Sequence, residues 1–265
     1  GNSQLNQSWE SFTSYMKSYS KERTVDPNLP LEILKAEPVS KPLVILDPGH
    51  GGKDGGTVSG DVLEKNLNLL LMKKIVSELS RHQVSVVTTR SEDEMIGLAD
   101  RALIANKYPN AIFISIHHNA ATLNSAKGIE TYYSNNKPKN LKIEQMNILK
   151  IKEGEVFNDD RSKMLAKLLH SSVCSVTQAS DRGVRDRSLA MTRWVSCPSV
   201  LIECGFLTNP EEKLDLLSES YRDALSRGIT EGILKYFSEL NNDPYYGVTF
   251  KRAPRAIAEL YLINS

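Results

Sequence analysis

The groups best able to do chemistry in this chain stand where short apolar runs give way to polar residues. Asp47-Pro48-Gly49-His50-Gly51-Gly52 follows the run Leu43 to Leu46, Ile112 to Ile116 delivers His117 and His118, and Leu201-Ile202 leads into Glu203. Glu64 opens a helical pattern just beyond the glycine-rich loop. Brought together, two imidazoles and two carboxylates would suit Zn²⁺, which takes His nitrogens and carboxylate oxygens. A catalytic zinc keeps three protein ligands and one open position, so the fourth group would be free to act as a base. Successive side chains on a strand point to opposite faces, so His117 and His118 cannot both enter the site without a bend.

Other chemistries are excluded by position. A phosphate-binding P-loop around Gly51-Gly52-Lys53 would need glycine where Asp47 stands and Ser or Thr where Asp54 stands. The five histidines, at 50, 82, 117, 118 and 170, contain no HExxH pair, and no GxSxG elbow is present. His82, at a helix end, and His170, inside a helix, read as structural.

The elements that must position these groups alternate. Leu43 to Leu46 reads as a buried strand ended by Pro48-Gly49, and Leu67, Leu70, Leu71, Ile75 and Leu79 give a helix from Glu64 to Arg81 one apolar face. Further strands are expected at Val84 to Thr89, Ala111 to His117, Gly128 to Ser134, Leu189 to Arg193 and Ser199 to Glu203. Helices are expected at Leu98 to Tyr108, Arg161 to Gln178 and, with one break, from Asn209-Pro210 to Leu240. Asn209 is a favourable cap, Pro210 a favourable first helical residue, and Glu211 and Glu212 suit the positive helix end. This order implies an α/β fold whose mostly parallel sheet carries helices on both faces. In such sheets sites form outside the carboxyl ends of the strands, where His50, His117 or His118, and Glu203 all fall.

Composition limits the partners. Of 265 residues, 33 are Lys or Arg and 32 Asp or Glu, leaving a net charge of +1, without the basic excess of a nucleic-acid binder. No run reaches the ~20 apolar residues of a membrane span, and the first twenty residues show no secretory leader. Cys174, Cys197 and Cys204 lack CxxC spacing and point to neither a disulfide framework nor a thiolate metal site. Residues 1–40 read as a polar arm or linker with a short helix around Trp9 to Met16, residues 41–240 as the catalytic domain, and residues 241–265 as a C-terminal extension.

Several separated motifs carry a resemblance. The run Val44-Ile-Leu-Asp-Pro-Gly-His-Gly-Gly-Lys-Asp, then Leu63-Glu-Lys-Asn, Thr89-Arg90, Arg101 with Ala105-Asn106, Phe113-Ile-Ser-Ile-His-His-Asn-Ala and Leu201-Ile-Glu-Cys-Gly-Phe-Leu-Thr-Asn follow one another in order. Together they resemble the zinc-dependent N-acetylmuramoyl-L-alanine amidases of the type 3 family, over roughly Pro42 to Phe237. The resemblance implies a single domain with a twisted six-stranded mixed sheet, and one zinc per chain held by His50, Glu64 and His117. It also implies Glu203 as the catalytic carboxylate, with His118 at the rim or turned from the metal. Asp47 and Asp54 are expected to orient the ligands. His118 stands where the family usually has Ala, and Cys204 where it usually has a small residue or Thr.

The implied reaction is hydrolysis of the amide joining N-acetylmuramic acid to L-alanine of the stem peptide, in cell separation or wall turnover. The alternatives are a zinc peptidoglycan peptidase or carboxypeptidase, and an inactive wall-binding homologue. The implied setting is an exported monomer in the periplasm or cell envelope, acting on peptidoglycan and served by an activator protein of the divisome or envelope. Some relatives carry an inserted helix that blocks the zinc. Residues 137–157, with Glu144, Glu153 and Glu155, are the corresponding lid candidate.

Overall fold

A computed structural model describes residues 31–34, 42–135, 159–242 and 249–252. The expected helix around Trp9 to Met16 and the lid candidate with Glu144, Glu153 and Glu155 lie outside the described residues. The chain divides into two compact units, Glu37–Gly247 and a second formed by Gly1–Ala36 with Val248–Ser265. In the second, β1 (Leu31–Leu34) pairs antiparallel with β10 (Thr249–Arg252), joining segments that the sequence reading treated as a separate arm and extension.

The larger unit is built on a six-stranded sheet. Its strands are β2 (Leu43–Pro48), β5 (Ser85–Thr88), β6 (Ile112–Asn119), β7 (Ile129–Tyr133), β8 (Asp181–Asp186) and β9 (Ser199–Phe206), in the order β5-β2-β6-β9-β7-β8. All neighbours run parallel except β7 against β9. A two-residue ladder, β3 (Val58–Ser59) and β4 (Val62–Leu63), precedes the helices. These are α1 (Glu64–Arg81), α2 (Leu98–Ala105), α3 (Asp159–Thr177), α4 (Ala190–Trp194), α5 (Pro210–Leu217) and α6 (Glu219–Asn242).

Strand alternation sends apolar side chains to both faces. Val44, Leu46, Ile114, Ile116, Val200 and Ile202 pack with Leu67, Leu71 and Ile75 of α1, Leu165 and Leu169 of α3, and Ile229 and Ile233 of α6. Ile45 and Phe113 turn the other way, onto Ala102 and Ala105 of α2 and Met191 of α4. With both faces covered, the sheet's free ground is its carboxyl end. Asn209 caps α5 as expected, accepting the N–H groups of Glu211 and Glu212 at 3.0 Å each.

Two assignments change. The segment expected as a strand at Leu189 to Arg193 is helix α4, one turn long, with Met191 and Thr192 buried. The strand that actually closes this side is β8, which the sequence hides: it is an edge strand of Asp, Arg and Gly residues around one apolar side chain, Val184, so it lacks apolar alternation.

The helix pair α3/α6 packs closely because Gly228 and Gly232 face it. A Cβ on Gly232 would lie 2.6 Å from Leu169 Cα, and one on Gly228 2.7 Å from Val173 Cα. Gly232→Val is therefore expected to lower unfolding free energy by about 1–3 kcal/mol in urea denaturation, as overpacking does. An unchanged midpoint would contradict the close crossing.

Candidate metal centre

The site grows from the ends of three adjacent strands, β2, β6 and β9. After β2 the chain turns sharply: Gly51 and Asp54 exchange backbone hydrogen bonds of 2.9 and 3.1 Å, and His50 sits at φ 61°. That left-handed backbone costs a non-glycine residue of order 1–3 kcal/mol and persists only where surroundings enforce it. Here the enforcing groups are two buried arginines. Arg101 donates to the carbonyl of His50 at 2.7 Å and of Pro48 at 2.9 Å, while Arg90 donates to Pro48 at 2.9 Å and Gly49 at 3.0 Å. Loop carbonyls that no strand can satisfy thus receive guanidinium donors, whose fork geometry suits several acceptors at once.

Asp47 has a different role from the one expected. Its carboxylate accepts from Arg101 Nη1 at 2.6 Å, Thr89 Oγ1 at 2.6 Å and Ser115 Oγ at 2.7 Å, and touches no histidine. It neutralises the arginine that shapes the loop. Asp54 does contact a candidate ligand, with Oδ2 2.8 Å from His50 Nδ1.

Glu64, the first residue of α1 and 3 % exposed, is where the elements meet. Oε1 lies 2.9 Å from His117 Nδ1 and accepts the His118 N–H at 3.1 Å and Asn68 Nδ2 at 3.4 Å. Oε2 accepts the Thr57 N–H at 2.8 Å and lies 3.3 Å from His50 Nε2. Burial opposes its charge, but the imidazoles and the Thr57 N–H hold the carboxyl well below its ordinary range. The helix N-terminus favours the same charge. Conversely, the Glu64 hydrogen bond raises His50 to about 9 against the opposing effect of burial, with Asp54 adding to it.

His50, Glu64 and His117 offer one nitrogen or oxygen each within 4.8 Å of one another, and this set could hold a metal ion. Two nitrogens and a carboxylate oxygen match the donor chemistry of a catalytic zinc site. Glycines make room for it. A Cβ on Gly49 would collide with the His117 ring, and one on Gly56 would stand 2.5 Å from Glu64 Oε2 and 2.6 Å from His50 Cδ2.

Glu203 lies beside this group, directly opposite His117 in the β6/β9 register. Its Oε2 is buried and has no hydrogen-bond partner among the described residues. Burial raises its carboxyl to about 7; nearby Glu64 and Glu130 add to the rise and the imidazoles oppose it. A carboxyl poised near neutrality is suited to passing protons. His118 points away, its Nδ1 2.7 Å from Asn68 Oδ1 and its side chain buried, as strand alternation requires. The register break between His117 and Asn119 comes beyond the residue that matters.

Glu130 was missed by the sequence reading. It faces Glu203 across the β7/β9 pair, is bonded to Arg182 at 2.8 Å, Arg185 at 3.1 Å and Tyr132 at 2.6 Å, and lies on the strand expected at Gly128 to Ser134 from its Ile, Thr and Tyr residues. A lone carboxylate inside Ile129 to Tyr133 was the available signal.

Comparisons with known proteins identify the family of this fold. A family profile for N-acetylmuramoyl-L-alanine amidase matches residues 44–235. The N-acetylmuramoyl-L-alanine amidase from Clostridium difficile 630 superposes with a TM-score of 0.65 at 37% identity, covering 75% of this chain and 97% of that one. The CwlD amidase from Clostridioides difficile, solved in complex with the GerS lipoprotein, gives 0.64 at 28% identity over 75% of this chain and 100% of that one. The amidase LytC of Bacillus subtilis strain 168 is 28% identical over 200 residues, which is 76% of this chain and 36% of LytC. The α/β domain matched over residues 44–235 is that of a peptidoglycan hydrolase. The chain belongs to the N-acetylmuramoyl-L-alanine amidase family. Its reaction is hydrolysis of the amide that links muramic acid to the stem peptide.

Removing Asp47 should expose the cost of the buried arginine. Asp47→Ala leaves Arg101 without its carboxylate and is expected to reduce unfolding free energy by about 3–5 kcal/mol in urea titrations. A loss below about 1 kcal/mol, the size of an exposed pair, would show that Asp47 does not hold the loop.

Proposed function

We propose that His50, Glu64 and His117 hold one zinc ion and that Glu203 is the proton carrier of amide hydrolysis. The observation that carries this reading is the position of Glu203, opposite His117, with a buried oxygen that has no hydrogen-bond partner among the described residues, beside a two-imidazole, one-carboxylate set. When bound, zinc supplies Lewis-acid chemistry, polarising the scissile carbonyl and easing deprotonation of the attacking water. Glu203 takes a proton from that water as the oxygen attacks the carbonyl carbon. It then delivers the proton to the departing nitrogen as the C–N bond breaks, a base that becomes an acid. Asp54 holds the His50 ring from behind, and Gly49 and Gly56 keep the approach to His117 and Glu64 clear of side chains.

The setting proposed is the periplasm or cell envelope, in cell separation or wall turnover. Among the described residues no helix is long and apolar enough to cross a membrane. The CwlD relative was solved in complex with the GerS lipoprotein, which supports a protein partner for this chain, proposed as an activator of the divisome or envelope. Residues 1–40 and 241–265 are proposed as appendages to the catalytic domain, and the chain as a monomer.

Glu203→Gln should lower amide hydrolysis of purified peptidoglycan by about 10²- to 10⁴-fold while retaining the metal content of the unsubstituted chain. His50→Ala, Glu64→Ala and His117→Ala should each lose one metal equivalent, since each removes one of three ligands. Metal lost from Glu203→Gln would make Glu203 a ligand and overturn the assignment. Mass spectrometry of the digest should show lactyl-ended glycan and peptides beginning with L-alanine; cleavage within the stem peptide would indicate a peptidase.

A further inference from the structure

A second cluster of ligand-type side chains lies away from the catalytic group and shares no residue with it. His170 and Cys174, four residues apart, stack on one face of α3, and Asp181 opens β8. His170 Nε2 lies 2.8 Å from Asp181 Oδ1 and 3.6 Å from Cys174 Sγ, and one ligand atom of each residue falls within 4.8 Å of the others.

We propose that His170, Cys174 and Asp181 form a second site for a borderline-soft divalent cation of the zinc type, fastening α3 to the start of β8. Three observations support it. The first is spacing. Zinc bonds of about 2.0–2.1 Å to nitrogen and 2.3 Å to sulfur set those two ligands ~3.6 Å apart in a tetrahedron, as His170 and Cys174 stand. Nitrogen and oxygen ligands stand about 3.3–3.4 Å apart in the same geometry, so the Asp181 side chain, 66% exposed and held at Oδ1 by the Gly183 N–H at 2.7 Å, has to open from its 2.8 Å contact by about half an ångström.

The second is the far nitrogen of the imidazole. His170 Nδ1 lies 3.0 Å from Thr131 Oγ1 of β7. In the 2.8 Å contact with the acceptor-only Asp181 carboxylate Nε2 carries the proton; an ion that displaces it would leave the remaining proton on Nδ1, donated to the Thr131 hydroxyl, and turn the Nε2 lone pair toward Cys174 and Asp181. Metal-binding histidines have this arrangement: the second ring nitrogen donates to a fixed acceptor and sets the tautomer. The third is access. His170 is 4% exposed and anchored among core residues, Cys174 is half-buried and Asp181 is at the surface. An ion therefore has both a rigid seat and an entry path. The site also has a consequence for its surroundings. Asp181 immediately precedes Arg182, whose guanidinium pairs with Glu130, the residue opposite Glu203. An ion here would tie α3 to the strand that braces the catalytic side of the sheet.

Cobalt(II) is the probe, because thiolate coordination gives a near-ultraviolet charge-transfer band that histidine and carboxylate ligands do not. The catalytic group contains no cysteine, so the band reports the second site whether or not the zinc reading above holds. The full chain should develop this band on cobalt titration, saturating at one thiolate-bound ion. Cys174→Ser should abolish it and lose one cobalt equivalent, with Cys197 and Cys204 still present as buried controls. Asp181→Asn should weaken cobalt binding at this site about tenfold or more. Cobalt should also raise the melting temperature more in the unsubstituted chain than in Cys174→Ser, because an ion that binds only the folded state stabilises it. Absence of the band in the unsubstituted chain, or its survival in Cys174→Ser, would overturn the site. Unaltered affinity in Asp181→Asn would overturn the three-residue assignment.

Discussion

The Glu64 carboxylate is the constraint on which the rest of the site depends. It is buried and ionised, and an ion in that position must be surrounded by donors or it would take up a proton. The donors come from separate parts of the chain: His50 from the loop after β2, Thr57 from just before the β3/β4 ladder, and His117 and His118 from the end of β6. One charge therefore sets the relative positions of the loop, the strand end and the first turn of α1. The two imidazoles that it gathers offer, with it, a donor set that could hold a metal.

Holding that charge requires a loop of improbable shape, and buried ions enforce it. The chain from Pro48 to His50 turns its carbonyls inward, where Arg90 and Arg101 receive them, and Asp47 balances Arg101. A buried ion pair is a weak source of net stability, but breaking one is costly, which makes it suited to fixing a geometry. Glycine completes the arrangement by absence: at Gly49 and Gly56 any Cβ would occupy the space of His117, Glu64 or His50. The site is thus made by a charge, by donors that share it and by two places without side chains.

Much of this was legible in the sequence because the strongest local signals coincide with the site. The apolar runs of β2, β6 and β9 are the central strands, and the residues that end them are by necessity neighbours at one sheet edge. The α1 face of Leu67, Leu71 and Ile75 reads directly as a helix. Edge strand β8 was illegible because it pairs on one side alone and four of its six residues are charged. Helix α4 was misread because five residues give too short a window to separate a turn of helix from a strand. Arg90 and Arg101 were visible as motif residues, but nothing local says that a guanidinium caps carbonyls 40 or more residues away. His170 looked structural, and only the parallel β7/β8 pairing brings Thr131 and Asp181 to its two ring nitrogens.

The central claim is that Glu64 belongs to the metal's ligand set while Glu203, its close neighbour, does not. Anomalous diffraction at the zinc edge from crystals of the zinc-loaded chain tests it most directly. The account predicts a peak bounded by His50, Glu64 and His117, with Glu203 outside bonding distance. A peak bonded to Glu203, or one that leaves Glu64 outside the coordination sphere, would contradict it.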